Sequence, residues 1–352
     1  MSEPLGVGIL GAGPVTQSIH LPVIAGLADR LRVVHVMDVD ARVCAEVAQR
    51  VDARASSTVD AVLDDPAVDI VAICSPHQFH ADQVAAACTA GKRAVLCEKP
   101  LATSLEDAQR VMRSTTGAGV PLVVGAMHAY DPGWVGARDY WEDAGADATV
   151  VRSVIYLPSN DDMIGLATDP VPAAPAAPPT DAGPAVDPVV ELDADLERLR
   201  GGIIGLAIHA IPLVRRLIPK LSRVTSARVL EPFGYLVTVA DNDDRVAQLI
   251  GLMPGRWRPD WSLDAWGANG RLHADFPPSF VLAGSATAQV RIGDQSRSWR
   301  YPENGYQAEW RHLADIVREG LPPPIPVQDA VDDVSLALTI ADGAVDLIRE
   351  GR

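Results

Sequence analysis

The chain has 352 residues, 48% of them hydrophobic, and a formal net charge of -16 at pH 7. Its length fits two domains with ample material for a core, and the apolar share excludes a disordered chain. The acidic balance, with no basic run, excludes the positive face that a nucleic-acid or anionic-membrane partner would need.

Met1-Ser2-Glu3-Pro4 lacks the basic stretch of a signal peptide, so a cytoplasmic protein is expected. Gly6 to Leu10 reads as a short buried strand. Gly11-Ala12-Gly13-Pro14-Val15-Thr16 follows at once and opens a helical stretch. In that context Gly11 makes a tight turn and Gly13 lets a pyrophosphate approach the backbone, while Pro14 and Val15 open a helix whose free N–H groups attract anions. Thr16 stands where the third small residue of such a fingerprint falls. A Gly-rich turn without a ligand remains the plain alternative. The second strand, Arg32 to Met37, ends at Asp38, the spacing at which an acid receives the ribose hydroxyls of NAD. No arginine follows directly, which favours NAD over NADP, with Arg42 near enough to keep NADP as the alternative.

A third unit repeats the rhythm. Asp69 to Cys74 is a strand, Ser75-Pro76-His77-Gln78-Phe79-His80 a turn, and Ala81 to Ala90 a helix closed by Gly91. Lys92 to Cys97 is the next strand. It ends in Glu98-Lys99-Pro100, placing a lysine where ligands bind in open α/β sheets; a solvated Glu–Lys pair is the bland reading. Ser104 caps a helix from Leu105 to about Thr116, and Val120 to Gly125 is one more strand. Strands alternating with helices predict a doubly wound parallel sheet over residues 1–125. Cys44, Cys74, Cys88 and Cys97 show no metal-ligand spacing, so no metal site is expected.

With these residues in order, the chain resembles the glucose–fructose oxidoreductase / inositol dehydrogenase / rhizopine catabolism (Gfo/Idh/MocA) family. The resemblance is carried by Gly11-Ala12-Gly13, Asp38, Ser75-Pro76 with His80, Cys97-Glu98-Lys99-Pro100-Leu101-Ala102, Gly201-Gly202 with His209, and Tyr306 with Glu309. It implies an N-terminal Rossmann domain followed by an α/β domain, here 126–352, built on an open, mostly antiparallel sheet whose face often makes a homodimer or homotetramer. It implies an NAD(P)-dependent hydride transfer to or from a sugar, sugar derivative or cyclitol. It assigns Gly11, Gly13, Pro14, Val15, Asp38, Ser75, Pro76, His80, Glu98 and Lys99 to the cofactor, and Lys99 and His209 to catalysis.

The second half reads consistently. Val150 to Leu157, Arg223 to Glu231, Gly234 to Ala240, Arg245 to Met253, Trp261 to Trp266, Gly270 to Asp275 and Ala288 to Ile292 look like strands. Gly305 to Glu319 and Asp329 to Arg349 look like helices. The resemblance implies a helix starting after Gly201-Gly202, with an acid four residues before His209 on the same face. Gly205 occupies that position, and Pro212 stands where another acid is common and is expected to kink the helix. His209 itself lies on an apolar stretch, where a lone His is often only a core residue. Stand-ins for the missing acid are His128, Tyr130 and Asp131 at the domain junction, and Tyr156 on the next strand.

Pro158 to Pro188 carries eight prolines among alanines and acids. Residues 158–190 therefore read as an extended, flexible insert that cannot form a helix, either a lid, an oligomer-contact arm or a tolerated surface insertion. Two rivals to a dehydrogenase stay open: an NAD-binding sensor or scaffold without catalysis, and an enzyme using tightly bound NAD transiently for elimination, epimerisation or glycoside cleavage.

Overall fold

The computed structural model describes residues 3–165, 167–172, 188–255 and 260–351. Strands β1 (Leu5–Leu10), β2 (Leu31–Met37), β3 (Arg54–Ser56), β4 (Ile70–Ile73), β5 (Ala94–Glu98) and β6 (Leu122–Gly125) form one sheet in the order β3-β2-β1-β4-β5-β6. Every pair in it is parallel. Helices on both faces bury β1, β4 and β5 completely, which is why these three are near-continuous apolar runs. The strand order reverses between β1 and β4, so the crevice for a ligand opens at their carboxyl ends. The one strand of this sheet not foreseen is β3. Its Arg-Ala-Ser sequence is mostly exposed at the sheet edge, and it pairs only with β2.

The second sheet comprises β7 (Ala148–Pro158), β8 (Arg223–Leu230), β9 (Gly234–Ala240), β10 (Val246–Gly255), β11 (Asp260–Gly267), β12 (Gly270–Asp275), β13 (Thr287–Ile292) and β14 (Gln295–Trp299), in the order β14-β13-β12-β11-β7-β10-β9-β8. All its pairs are antiparallel except β7 with β10. Helices Pro132–Asp143, Pro188–Leu206, Ile211–Leu217 and Val327–Arg349 contact this sheet. Across β7, β11 and β12, charged side chains form a mesh: Asp264 accepts from Arg152 and Arg271 at 3.0 Å and lies 2.9 Å from the His273 ring. Helix Val327–Arg349 also contacts helix Leu105–Ala118 and β6, so it ties the two sheets together.

Two expectations are corrected. Gly201-Gly202 does not begin a helix: both lie inside Pro188–Leu206, which is followed by a 3-10 turn, Ala207–His209. Pro212 does not kink that helix either. It sits in the first turn of a new one, Ile211–Leu217, where its missing N–H has no helical partner to lose. Part of the insert also departs from expectation, because Asn160–Ile164 is a short helix capped by the Ser159 hydroxyl. Thr168 donates to Ser18 Oγ at 2.7 Å, and Val171 N–H donates to Gln17 Oε1 at 2.7 Å, so this stretch is fastened to the first domain. Residues 173–187 of the predicted flexible insert lie outside the described residues.

Candidate active site

The glycine turn after β1 is shaped by close packing. Gly11 has φ +98°, and a Cβ there would stand 2.8 Å from the Cys74 carbonyl and from Ser75 N. Only glycine allows these two loops to meet at the switch point. At Gly13 a Cβ would meet nothing within 4 Å, so the backbone faces open space. A π-helical turn, Thr16–His20, then runs into helix Leu21–Gly26. Asp38 at the end of β2 accepts Ala12 N–H at 2.7 Å on Oδ2 and Asp40 N–H at 2.9 Å on Oδ1. The carboxylate is thereby fixed beside the glycine turn with lone pairs to spare. An open glycine cradle, a helix start and a fixed acid fit a dinucleotide: the turn would hold its pyrophosphate and Asp38 a ribose. Arg42 is already occupied, donating to Glu46 at 3.2 Å and to the Pro172 carbonyl.

Ser75 and His80 shape the neighbouring turn. Ser75 Oγ donates to Gln83 at 2.6 Å, and the His80 ring nitrogens lie 2.9 Å from the Ser75 and Pro100 carbonyls. His80 is buried and staples the turn after β4 to the Lys99-Pro100 segment, whose peptide is cis.

Beneath Lys99 is a buried polar frame. Glu98 Oε1 lies 3.0 Å from His20 Nε2, and Glu98 Oε2 accepts Lys99 N–H at 3.1 Å. The Trp310 indole N–H donates to His20 Nδ1 at 3.1 Å. An indole can only donate, so Nδ1 accepts and the ring proton sits on Nε2, aimed at Glu98. Burial works against the Glu98 charge, but His20, the Lys99 side chain and the Lys99 N–H outweigh it and hold the carboxyl below its ordinary range. Next to this frame, Glu309 is fully buried with neither carboxyl oxygen hydrogen-bonded among the described residues. Burial first, then the Glu98 charge, push its pKa well up, so Glu309 is a neutral acid.

Lys99 and His209 line one cavity of about 260 Å³, together with Val15 from the glycine turn. Lys99 Nζ donates to the Gly205 carbonyl at 3.4 Å. Burial lowers its pKa, partly opposed by Glu98. The His209 pKa lies well below its ordinary value through burial, then the Lys99 charge, then His128. The ring is therefore neutral near pH 7. Its Nδ1 is buried with no hydrogen-bond partner among the described residues. Its edge meets Trp261, with ring centroids 5.0 Å apart. Gly205 also lines the cavity, and a Cβ there would meet nothing within 4 Å.

The proposed stand-ins for an acid fare differently. His128 is closest in kind: its ring is 6.3 Å from that of His209 and packs on Trp261 and Phe276 at 4.4 and 4.2 Å. Burial pushes its pKa down to about 3, so it is a neutral group. Tyr130 is buried on the other side of Lys99, against a void of about 30 Å³. Asp131 is spent on the backbone, accepting from Gly133, Trp134 and Ala286. It caps helix Pro132–Asp143 and pins the Ala286 loop, which corrects its reading as a substrate contact. Tyr156 is corrected too: Leu157 lines the cavity, and strand alternation turns Tyr156 to the opposite face. Residues not foreseen include Met163, Phe233, Trp261, Ser279 and Phe280. They come from four separate segments, and none stands in a motif that spacing could reveal.

A parallel sheet in the order above carries a glycine turn and a fixed acid suited to a dinucleotide, and an open, mostly antiparallel sheet stands beside it. Residues 5–126 match the model for the GFO_IDH_MocA oxidoreductase family, NAD-binding Rossmann fold. Among curated relatives, the chain is 39% identical over 165 residues to an inositol 2-dehydrogenase of Paracoccus denitrificans, covering 46% of this chain and 47% of that protein. It is 38% identical over 151 residues to inositol 2-dehydrogenase 3 of Saccharopolyspora erythraea, covering 43% and 44%. The matches thus span less than half of these relatives' length. Over the whole chain the fold is that of KijD10, a 3-ketoreductase from Actinomadura kijaniata solved with NADP and TDP-benzene. The TM-score is 0.72 at 18% identity, covering 97% of this chain and 98% of that one. GenD2 from gentamicin A biosynthesis, solved with NAD, gives a TM-score of 0.72 at 23% identity, covering 100% and 96%.

Proposed function

We propose that this chain is an NAD-dependent oxidoreductase interconverting a secondary alcohol and a ketone on the ring of a sugar, sugar derivative or cyclitol. The observation that carries the reading is the convergence of Lys99 and His209 on one cavity beside the glycine turn. In the oxidative direction the alcohol carbon loses a hydride, its hydrogen with two electrons, and the hydroxyl loses its proton. Bound NAD supplies the acceptor for that hydride. Lys99 hydrogen-bonds the substrate oxygen through Nζ and stabilises its growing negative charge. His209, neutral at the working pH, takes the hydroxyl proton on its ring. Asp38 and the engagement of Arg42 support NAD over NADP. We also assign the charged sheet face, where Arg152 and Arg271 flank Trp266 at 5.5 Å, to a homodimer or homotetramer contact that sedimentation would detect.

Gly205 favours a second reading, an NAD-binding protein without dehydrogenase activity, because among the described residues no carboxylate is hydrogen-bonded to His209. An NADH-formation assay over ring alcohols, run beside NAD titration, separates the two. Lys99→Ala is expected to lower kcat/KM by about 10²–10³-fold while NAD still binds. Unchanged turnover in that variant sinks the first reading. Binding of NAD with no turnover of any ring alcohol by the native chain establishes the second, and turnover without net NADH points to transient use of the cofactor.

A further inference from the structure

We infer that the ring accepted by this cavity carries apolar groups (methyl, aryl or acyl) away from its reacting carbon, and is not a cyclitol hydroxylated at every carbon. The inference rests on the oxidoreductase reading above and narrows its substrate class. The cavity offers few polar groups for its volume of about 260 Å³. Lys99 and His209 are both committed to one substrate oxygen. Glu98 is held by His20 and by the Lys99 backbone. Ser279, Tyr306 and Trp261, with its single indole N–H, are the other side chains with polar atoms on the wall among the described residues. Leu157, Met163, Leu206, Phe233, Met253 and Phe280 supply most of the remainder.

A hydroxyl buried against such a wall loses its water without gaining a partner. Each one weakens binding by about fivefold to a hundredfold. A methyl or aryl group in the same place gains by leaving water, and methionine side chains at 163 and 253 adapt to its outline. The wall is also seated. The Phe233 ring fits into the notch left by Gly202, where a Cβ would come within 2.5 Å of the ring tip. The position where a carboxylate would greet a polyol is Gly205, which presents only space.

Calorimetric titration of the NADH-loaded full chain with phenylcyclohexanone and with inosose, the ketone of inositol, tests this directly. Phenylcyclohexanone is expected to bind about tenfold tighter or more. Phe233→Ser, or Phe280→Ser should the first variant not fold, is expected to cut that ratio to about threefold or less. Equal or tighter binding of inosose, no binding of either ketone, or a ratio unmoved in a folded variant each overturns the inference. Parallel kcat/KM measurements keep the two claims apart. A binding preference without Lys99-dependent NADH consumption leaves the apolar site standing and removes the oxidoreductase reading.

Discussion

Putting a carboxylate back at position 205 is the sharpest test of how the site works. Among the described residues no carboxylate is hydrogen-bonded to His209, and burial, Lys99 and His128 all favour its neutral form. Gly205→Asp places an anion on the cavity wall without a clash, since a Cβ there meets nothing within 4 Å. The backbone carbonyl of the same residue already lies 3.4 Å from Lys99 Nζ. Opposite charges at about 4 Å interact by ~4 kcal/mol at an effective dielectric near 20, and less once the carboxylate is solvated or farther away. Taking about 1.5–3 kcal/mol, His209 titrates roughly one to two units higher in the variant. A general base must be unprotonated, so the native chain should show no acid limb from His209 near neutral pH. The variant should show that limb displaced upward. Above it, the more basic imidazole should raise ring-alcohol oxidation by about tenfold. The fold should tolerate the change. Replacing a helical glycine gains roughly 0.5 kcal/mol, while an anion near a helix C-terminus loses about as much. The assay is kcat/KM against pH for the best ring alcohol, with circular dichroism to verify folding. A folded variant with the native pH profile and native kcat/KM would refute the placement of His209 as base.

Three further outcomes are expected. Asp38→Ala should weaken NAD by about tenfold to a hundredfold in fluorescence titration, the worth of a charge-assisted hydrogen bond, with a smaller change for NADP; an unaltered NAD affinity would remove Asp38 from the ribose. Glu309 is neutral in the folded state and ionises at its ordinary value when unfolded. Its contribution is therefore complete below the unfolded pKa of about 4.3 and declines as pH rises toward the raised folded value, by about 1.4 kcal/mol per unit of difference. Glu309→Gln should flatten the fall in Tm as pH rises above the ordinary carboxyl range, and a native-like fall would show that the carboxyl is not the cause. Trp310→Phe removes the donor to His20 Nδ1 from a fully buried site and should lower stability by roughly 2 kcal/mol in urea unfolding, whereas no loss would mean that the bond to His20 adds nothing.

Much of the first domain was legible in the residues alone. Parallel strands buried on both faces leave continuous apolar runs, and the helices between them carry their own caps, such as Ser104 accepting Asp107 N–H and Gly119 in the left-handed region. The glycine turn, Asp38 and Lys99 are likewise local signals, because each sits at a strand end whose position follows from periodicity. The part of helix Pro188–Leu206 before Gly201 is not legible because it follows a stretch rich in proline and alanine. Strand β14 is not legible either, because Gln-Ser-Arg-Ser lies exposed at a sheet edge and carries no alternation. Asp131 reads as a site residue from its place at the domain junction, but the Ala286 loop occupies its carboxylate.

The sequence by itself determined where the chain bends, where a phosphate can approach and where a lysine ends a strand, since these depend on neighbours a few residues apart. Only the tertiary structure decided what surrounds that lysine. Glu98 is oriented by His20, which is held by Trp310, 290 positions along the chain. The cavity is walled by Phe233, Met253 and Phe280, side chains that no local pattern marks. Hydrogen bonding and burial act through space, and the residues that meet across 290 positions leave no period in the sequence by which to find one another.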